Sequence, residues 1–363
     1  MRVEDIDTPA LIVEMPVFER NLLRMATFAK DRNLRLRPHA KMHKTPAIAL
    51  RQIALGAVGV CCQKTSEAEA LVAAGVEDVL ISNQVVGIAK LARLAALAQR
   101  AVIGVCVDDA SNSRALSDAA KAAGTLIHVY IEINAGANRC GVAAGPAALV
   151  LAQTVASLPN LKFMGLQAYH GSAQHLRSAA ERQAAIASAI DKARQSRDLI
   201  EVAGIRCAVI TGAGTGTYEL EAASGVYNEL QPGSYAFMDA DYGRNQASHP
   251  YEQSLFILTT VMSRSAERAV VDCGLKAHSV DSGMALVASD ASGAAMPGLD
   301  YAKASDEHGV IISIGGALPA LGRKLRLIPG HIDPTVNLHD WIIGIHDGVV
   351  TEIWPVTARG AMW

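Results

Sequence analysis

The stretch RLRPHAKMHK, residues 35–44, decides the fold. It joins a short extended run (35–38) to a polar turn with two histidines and two lysines. An open doubly wound sheet wants a Gly-rich turn after its first strand, and none stands here. Seven more apolar, β-branched runs follow, at 57–62, 78–83, 101–107, 126–134, 163–170, 207–212 and 229–239. Alanine- and leucine-rich segments between them predict helices, for example at 66–75, 85–100 and 145–159, with another at 16–33 before the first strand. Several end in a glycine suited to a left-handed cap. Eight strand–helix alternations over roughly 240 residues match an α/β (β/α)8 TIM-like barrel, whose usual size is ~250 residues.

Beyond residue 240 the texture changes. The runs 254–263, 269–274, 309–314, 324–330 and 341–345 are short and separated by Gly, Pro or Asp, and all three tryptophans (341, 354 and 363) fall in this part. The expected organisation is a barrel over 7–240 and a second, mostly β C-terminal domain over 241–363 together with 1–6.

Composition narrows the function. Of 363 residues, half are apolar and 19% charged, so a large core can form and disorder is excluded. Lys plus Arg is 33 against 35 Asp plus Glu, with no basic run, so nucleic acid is not an expected partner. Apolar stretches are too short to span a bilayer, and the opening MRVEDIDTPA lacks a secretory pattern. Cysteines 61, 62, 106, 140, 207 and 273 show no C-x-x-C spacing, which suits reduced thiols in a cytoplasmic protein.

In such a barrel, chemistry gathers where the strands end. In order those ends carry Lys41, Gln63, Asn83, Asp108 and Asp109, Asn134 with Arg139, then Gln167, Tyr169 and His170, the loop TGAGTGT (211–217), and Tyr235 with Asp239. TGAGTGT after the seventh strand lets backbone N–H groups approach an anion, with a helix over 217–225 aimed at it; a flexible turn is the competing reading. Lys at a buried strand end is rare unless paired or functional, and a desolvated lysine is a good Schiff-base amine. A surface lysine is the commoner alternative, and Lys44 is read as the solvated one. Lysine on strand one with a phosphate loop on strand seven points to pyridoxal phosphate. In the second domain, His331 and Asp333 on an extended segment would point the same way and could hold Mn²⁺ or Mg²⁺. Taken alone, H-x-D also reads as a surface histidine beside a turn. His39, His43, His175 and Asp239 are read as supporting or structural, and His128, His249 and His346 as ordinary.

IDTPALIV (6–13), RPHAKMHKTPAIA (37–49), GVCCQKTSEAEA (59–70), NRCGV (138–142), GLQAYHGSAQH (165–175), TGAGTGTYE (211–219), ELQPGSYAFMDADYG (229–243) and GHIDPTVNLHD (330–340) resemble the D-threonine aldolase family. Its relatives include 3-hydroxy-D-aspartate aldolase and D-serine dehydratase, on the alanine-racemase type of fold, a barrel plus a β domain, usually a homodimer. The resemblance implies that Lys41 is the Schiff-base lysine and that Gly214, Thr215 and Gly216 hold the phosphate, with Gln63, Thr211 and Tyr235 nearby. It places Arg139 by the cofactor ring, Tyr169 on the pocket wall, and a divalent ion on His331 and Asp333.

The expected reaction is cleavage of a D-3-hydroxy amino acid to glycine and an aldehyde, with His170 as base for the β-hydroxyl proton. Three other enzyme readings are a 3-hydroxy-D-aspartate aldolase, a dehydratase giving a 2-oxo acid and ammonia, and a racemase. A racemase wants a tyrosine base opposite the lysine. A cofactor carrier would need neither the β domain nor the H-x-D pair.

Overall fold

The computed structural model describes residues 1–246 and 250–363, so His249 lies outside the described residues. After strand β1 (Ala10–Glu14) and helix α1 (Met15–Asp31) come eight parallel strands. They are β2 (Arg35–Leu36), β3 (Val60–Cys62), β4 (Asp78–Gln84), β5 (Val102–Val107), β6 (Ile127–Glu132), β7 (Leu161–Gln167), β8 (Val209–Gly212) and β9 (Glu229–Leu230). Their order is β2-β9-β8-β7-β6-β5-β4-β3. Val58 N donates to Leu36 O at 2.8 Å and Cys61 N to Pro38 O at 2.9 Å, joining the two ends into a closed barrel. Apart from β4, the strands are shorter than their apolar runs. The run at 229–239 pairs no further than Pro232, with Gln231 N on Gly212 O at 2.7 Å and Pro232 O accepting from His39 N at 3.1 Å, because Pro232 has no N–H to give and residues 234–236 coil into a 3-10 turn. The helix after β8 is also short, five residues from Tyr218 to Ala222.

Inside the barrel, Cys61, Leu80, Cys106, Tyr130 and Val209 form an apolar layer. Near it the buried Arg37 guanidinium meets Glu229 at 3.0 Å and Asp78 at 2.7 Å. Each charge there is compensated, as burial requires. Outside, the helices pack their apolar faces on the strands; α2 (Ile88–Leu97), for instance, buries Leu91, Leu94, Ala95 and Leu97.

The second sheet takes β10 (Leu255–Arg264), β11 (Arg268–Val271), β12 (Leu286–Asp290), β13 (Leu299–Ala304), β14 (Gly309–Ser313), β15 (Lys324–Ile328), β16 (Trp341–His346) and β17 (Val349–Pro355). It also takes β1, which pairs antiparallel with β10 and parallel with β16. The amino-terminal share of the β domain therefore runs through Glu14, past the expected residue 6. Leu11, Ile12 and Val13 are fully buried there, since a central strand is covered on both faces. One core cluster spans α1, the end of the barrel and the β domain, with Phe18 set between Phe237 (5.7 Å) and Trp354 (5.8 Å). That shared core fixes the β domain over the rim of the barrel. Among the described residues no helix is long and apolar enough to cross a membrane.

Candidate active site

The loop after β2 turns at once into a 3-10 turn, Ala40–Met42, which carries Lys41 inward over the barrel mouth. His39 caps that turn, its Nδ1 accepting from Lys41 N at 3.3 Å. Its Nε2 lies 2.7 Å from the Gln63 amide and 3.2 Å from Ser82 Oγ. Burial, and then the Lys41 cation, hold His39 well below the usual histidine range, so this ring is neutral.

Across from it, α3 (Ile332–Val336) begins with His331 as its cap residue and Asp333 in its first turn. The segment is a helix start, not the expected extended run. Even so, His331 Nε2 comes within 3.6 Å of Asp333 Oδ2. Asp333 pairs with Lys41 Nζ. Burial opposes both charges, but each outweighs that for the other: Lys41 rises above its ordinary value and Asp333 sits well below the carboxylate range. His331 Nδ1 lies 2.7 Å from Asp281 Oδ2. Buried Asp239 accepts from Ile332 N at 3.0 Å and Tyr242 N at 2.9 Å, tying the start of α3 to the barrel.

His39, Lys41 and His331 open onto a cavity of about 590 Å³ at the C-terminal ends of the strands. Gly214, Thr215, Gly233 and Ser234 line one side of it. Among the described residues their backbone N–H groups find no protein acceptor, which makes an anion cradle of the loops after β8 and β9. Gln174 backs the cradle: its Oε1 accepts from Gly216 N at 2.9 Å, and a Cβ on Gly214 would meet it at 2.4 Å. Arg139 and Lys64 are cations on the wall without an ion-pair partner among the described residues.

The chain matches the family described as alanine racemase, N-terminal domain, over residues 13–241, and a putative serine dehydratase domain over 254–345. It is 50% identical to a D-threonine aldolase from Arthrobacter sp over 359 residues, 98% of this chain and 93% of that one. The chain belongs to the D-threonine aldolase family. A 3-hydroxy-D-aspartate aldolase of Paracoccus denitrificans (strain Pd 1222) is 46% identical over 99% of this chain and 94% of its own length. The crystal structure of D-threonine aldolase from Filomicrobium marinum superposes with a TM-score of 0.96 at 52% identity, covering 99% of this chain and 97% of that one.

Lys41, Gln63, Arg139, Tyr169, Gly214, Thr215 and His331 all reach the cavity, with Asp333 against Lys41. Four residues expected in this family site do not. Thr211 is buried under the floor, its Oγ1 accepting from Gln231 Nε2 at 2.8 Å. The Tyr235 ring is in the core with its hydroxyl on Gln52, and only its backbone N–H turns toward the loop, onto Thr215 Oγ1 at 3.0 Å. Gly216 opens onto a neighbouring cleft instead. His170 also faces away: it packs on Gly136, where a Cβ would meet its Nε2 at 2.4 Å, and its Nδ1 lies 3.3 Å from Ser172 Oγ.

Besides His39 and His331, the cavity takes a third histidine, His175, at the end of the 3-10 turn Gly171–His175. Its Nδ1 is 2.6 Å from Asp241 Oδ2, which leaves Nε2 for the cavity. Sequence reasoning set it aside, and the only local signal was a second histidine in YHGSAQH.

Lys44 is not solvated. It is buried, pairs with Glu67 Oε1 at 2.7 Å and reaches Ala358 O at 3.4 Å. Glu67 Oε2 in turn accepts from Gln63 N and Lys64 N on the cavity wall. Breaking a buried pair strands the other charge, so Lys44→Met should destabilise the fold by about 3–5 kcal/mol in denaturant titration; unchanged stability would contradict the pair.

Glu221, just behind the cradle, is buried, and burial pushes its carboxyl up to about 7. A raised carboxyl contributes stability that is complete below the unfolded value near 4.5 and is lost as pH rises through about 7. Melting curves from pH 4.5 to 8 should therefore show a decline that Glu221→Gln lessens.

Proposed function

We propose that this chain is a pyridoxal 5'-phosphate- and divalent-metal-dependent D-threonine aldolase, cleaving D-3-hydroxy amino acids to glycine and an aldehyde. One observation carries the reading: Lys41, His331, an anion cradle and a carboxylate-held histidine all open onto one cavity, with Asp333 against both Lys41 and His331. The alanine-racemase type of fold implies the cofactor. The free N–H groups of the glycine loop suit its phosphate and Lys41 its carbonyl carbon, and when bound it supplies an electron sink for the pair left at Cα.

Among the described residues no cluster of three or more His, Cys, Asp or Glu forms a metal cage. His331 and Asp333 offer one imidazole and one carboxylate, a donor set that fits Mn²⁺ or Mg²⁺ with water or substrate completing the shell. Such an ion would supply Lewis acidity toward the β-hydroxyl. Once the Lys41 amine is engaged elsewhere, Asp333 loses its cation, and that carboxylate suits a metal.

The remaining steps belong to the side chains. Arg139 and Lys64 suit the substrate carboxylate. His175 Nε2 accepts the β-hydroxyl proton. The Cα–Cβ bond then breaks, the β-carbon leaves as an aldehyde, and a proton returns to Cα to give glycine. A homodimer in the cytoplasm completes the reading; all six cysteines are free.

A panel of D-threonine, D-phenylserine, D-serine, both 3-hydroxy-D-aspartates and L-threonine, with and without chelator, tests the proposal. Cleavage of the D-3-hydroxy acids alone is expected, and equal cleavage of L-threonine would overturn it. The purified enzyme should also be yellow, and borohydride followed by peptide mapping should place the cofactor on Lys41. A label on Lys44 would contradict the assignment.

A further inference from the structure

We propose that Asp241 is the positioning residue of His175, fixing which ring nitrogen meets the substrate. The inference rests on His175 being the base. Asp241 is buried, at 5% side-chain exposure, while the three side chains gathered on it are half exposed. Its Oδ2 lies 2.6 Å from His175 Nδ1. Its Oδ1 accepts from Arg244 Nη2 at 2.8 Å and from Arg177 Nη2. Arg177 Nη1 holds the same place a second way, on Asp241 O at 2.7 Å and Asn245 Oδ1 at 2.7 Å.

The chemistry follows from what an ionised carboxylate can do. Burial pushes the Asp241 carboxyl up, but its contacts with Arg177, Arg244 and His175 outweigh that and hold it down at about 2. An ionised carboxylate only accepts, so the proton of a neutral His175 must sit on Nδ1, and Nε2 carries the lone pair. A base needs that lone pair on the cavity side. The two arginines lock the carboxylate in turn, so the ring cannot follow it away from the cavity. Arg244 Nη2 also donates to Ser282 O in the β domain. The base is thereby registered against the loop whose Asp281 holds His331.

A carboxamide at 241 can offer its own N–H to Nδ1 and favour the wrong tautomer. Asp241→Asn should lower kcat for D-threonine at least about tenfold, with KM and the cofactor absorbance unchanged. A merely structural role would cost activity whether or not the imidazole is present. In a double-mutant cycle, Asp241→Asn should therefore cost nothing further in the His175→Ala background. Unchanged kcat in Asp241→Asn, or an equal loss in both backgrounds, would overturn the inference. If Asp241→Asn does not fold, Asp241→Glu carries the same cycle, since it keeps the charge and moves it by one methylene. Wild-type kcat in His175→Ala would instead remove the base assignment itself, which separates that failure from this one.

Discussion

His175→Ala loses D-threonine cleavage by about 10²–10⁴-fold, the usual cost of removing a positioned general base, while His170→Ala leaves the rate nearly unchanged. The difference rests on where the two rings point. His170 packs on Gly136 and Ser172, and its basicity is lowered by burial and then by the Lys192 cation. His175 opens on the cavity with Nδ1 already held by Asp241. Neither change touches Lys41 or the cradle, so both variants should keep the cofactor absorbance. Steady-state rates for the two variants side by side are the check, and the reverse ranking would return the role to His170.

Removing the metal should cost nearly as much. A Lewis acid at the β-oxygen supplies several kcal/mol, so exhaustive chelation or Asp333→Ala should lower turnover at least about a hundredfold. The colour should stay, because the cradle and Lys41 would hold the cofactor without His331 or Asp333. Adding Mn²⁺ or Mg²⁺ back should restore the chelated wild type and not Asp333→Ala. Full activity in Asp333→Ala after chelation would remove the metal from the account.

Much of this was legible in the chain because barrels write themselves locally. Each strand is a short β-branched run followed by a helix, and the polar residues fall just past its end. The misreadings have physical causes. Local pattern cannot say which sheet a strand joins, so ALIV at 10–13 was not placed between β10 and β16. Apolar texture carries the eighth strand on to residue 239, whereas its ladder ends at Pro232. Strand alternation could not aim the side chains of YHGSAQH, because residues 171–175 coil into a 3-10 turn and bring His175, not His170, to the cavity. Asp241 and Asp281 are 66 and 50 residues from the histidines they hold. No spacing rule reaches that far.

The products formed from a single substrate separate carbon–carbon cleavage from dehydration. The enzyme given D-threonine, cofactor and Mn²⁺ should release glycine and acetaldehyde in equal amounts, with no ammonia. Stoichiometric ammonia and 2-oxo acid without glycine would contradict the account and make the same cavity that of a dehydratase.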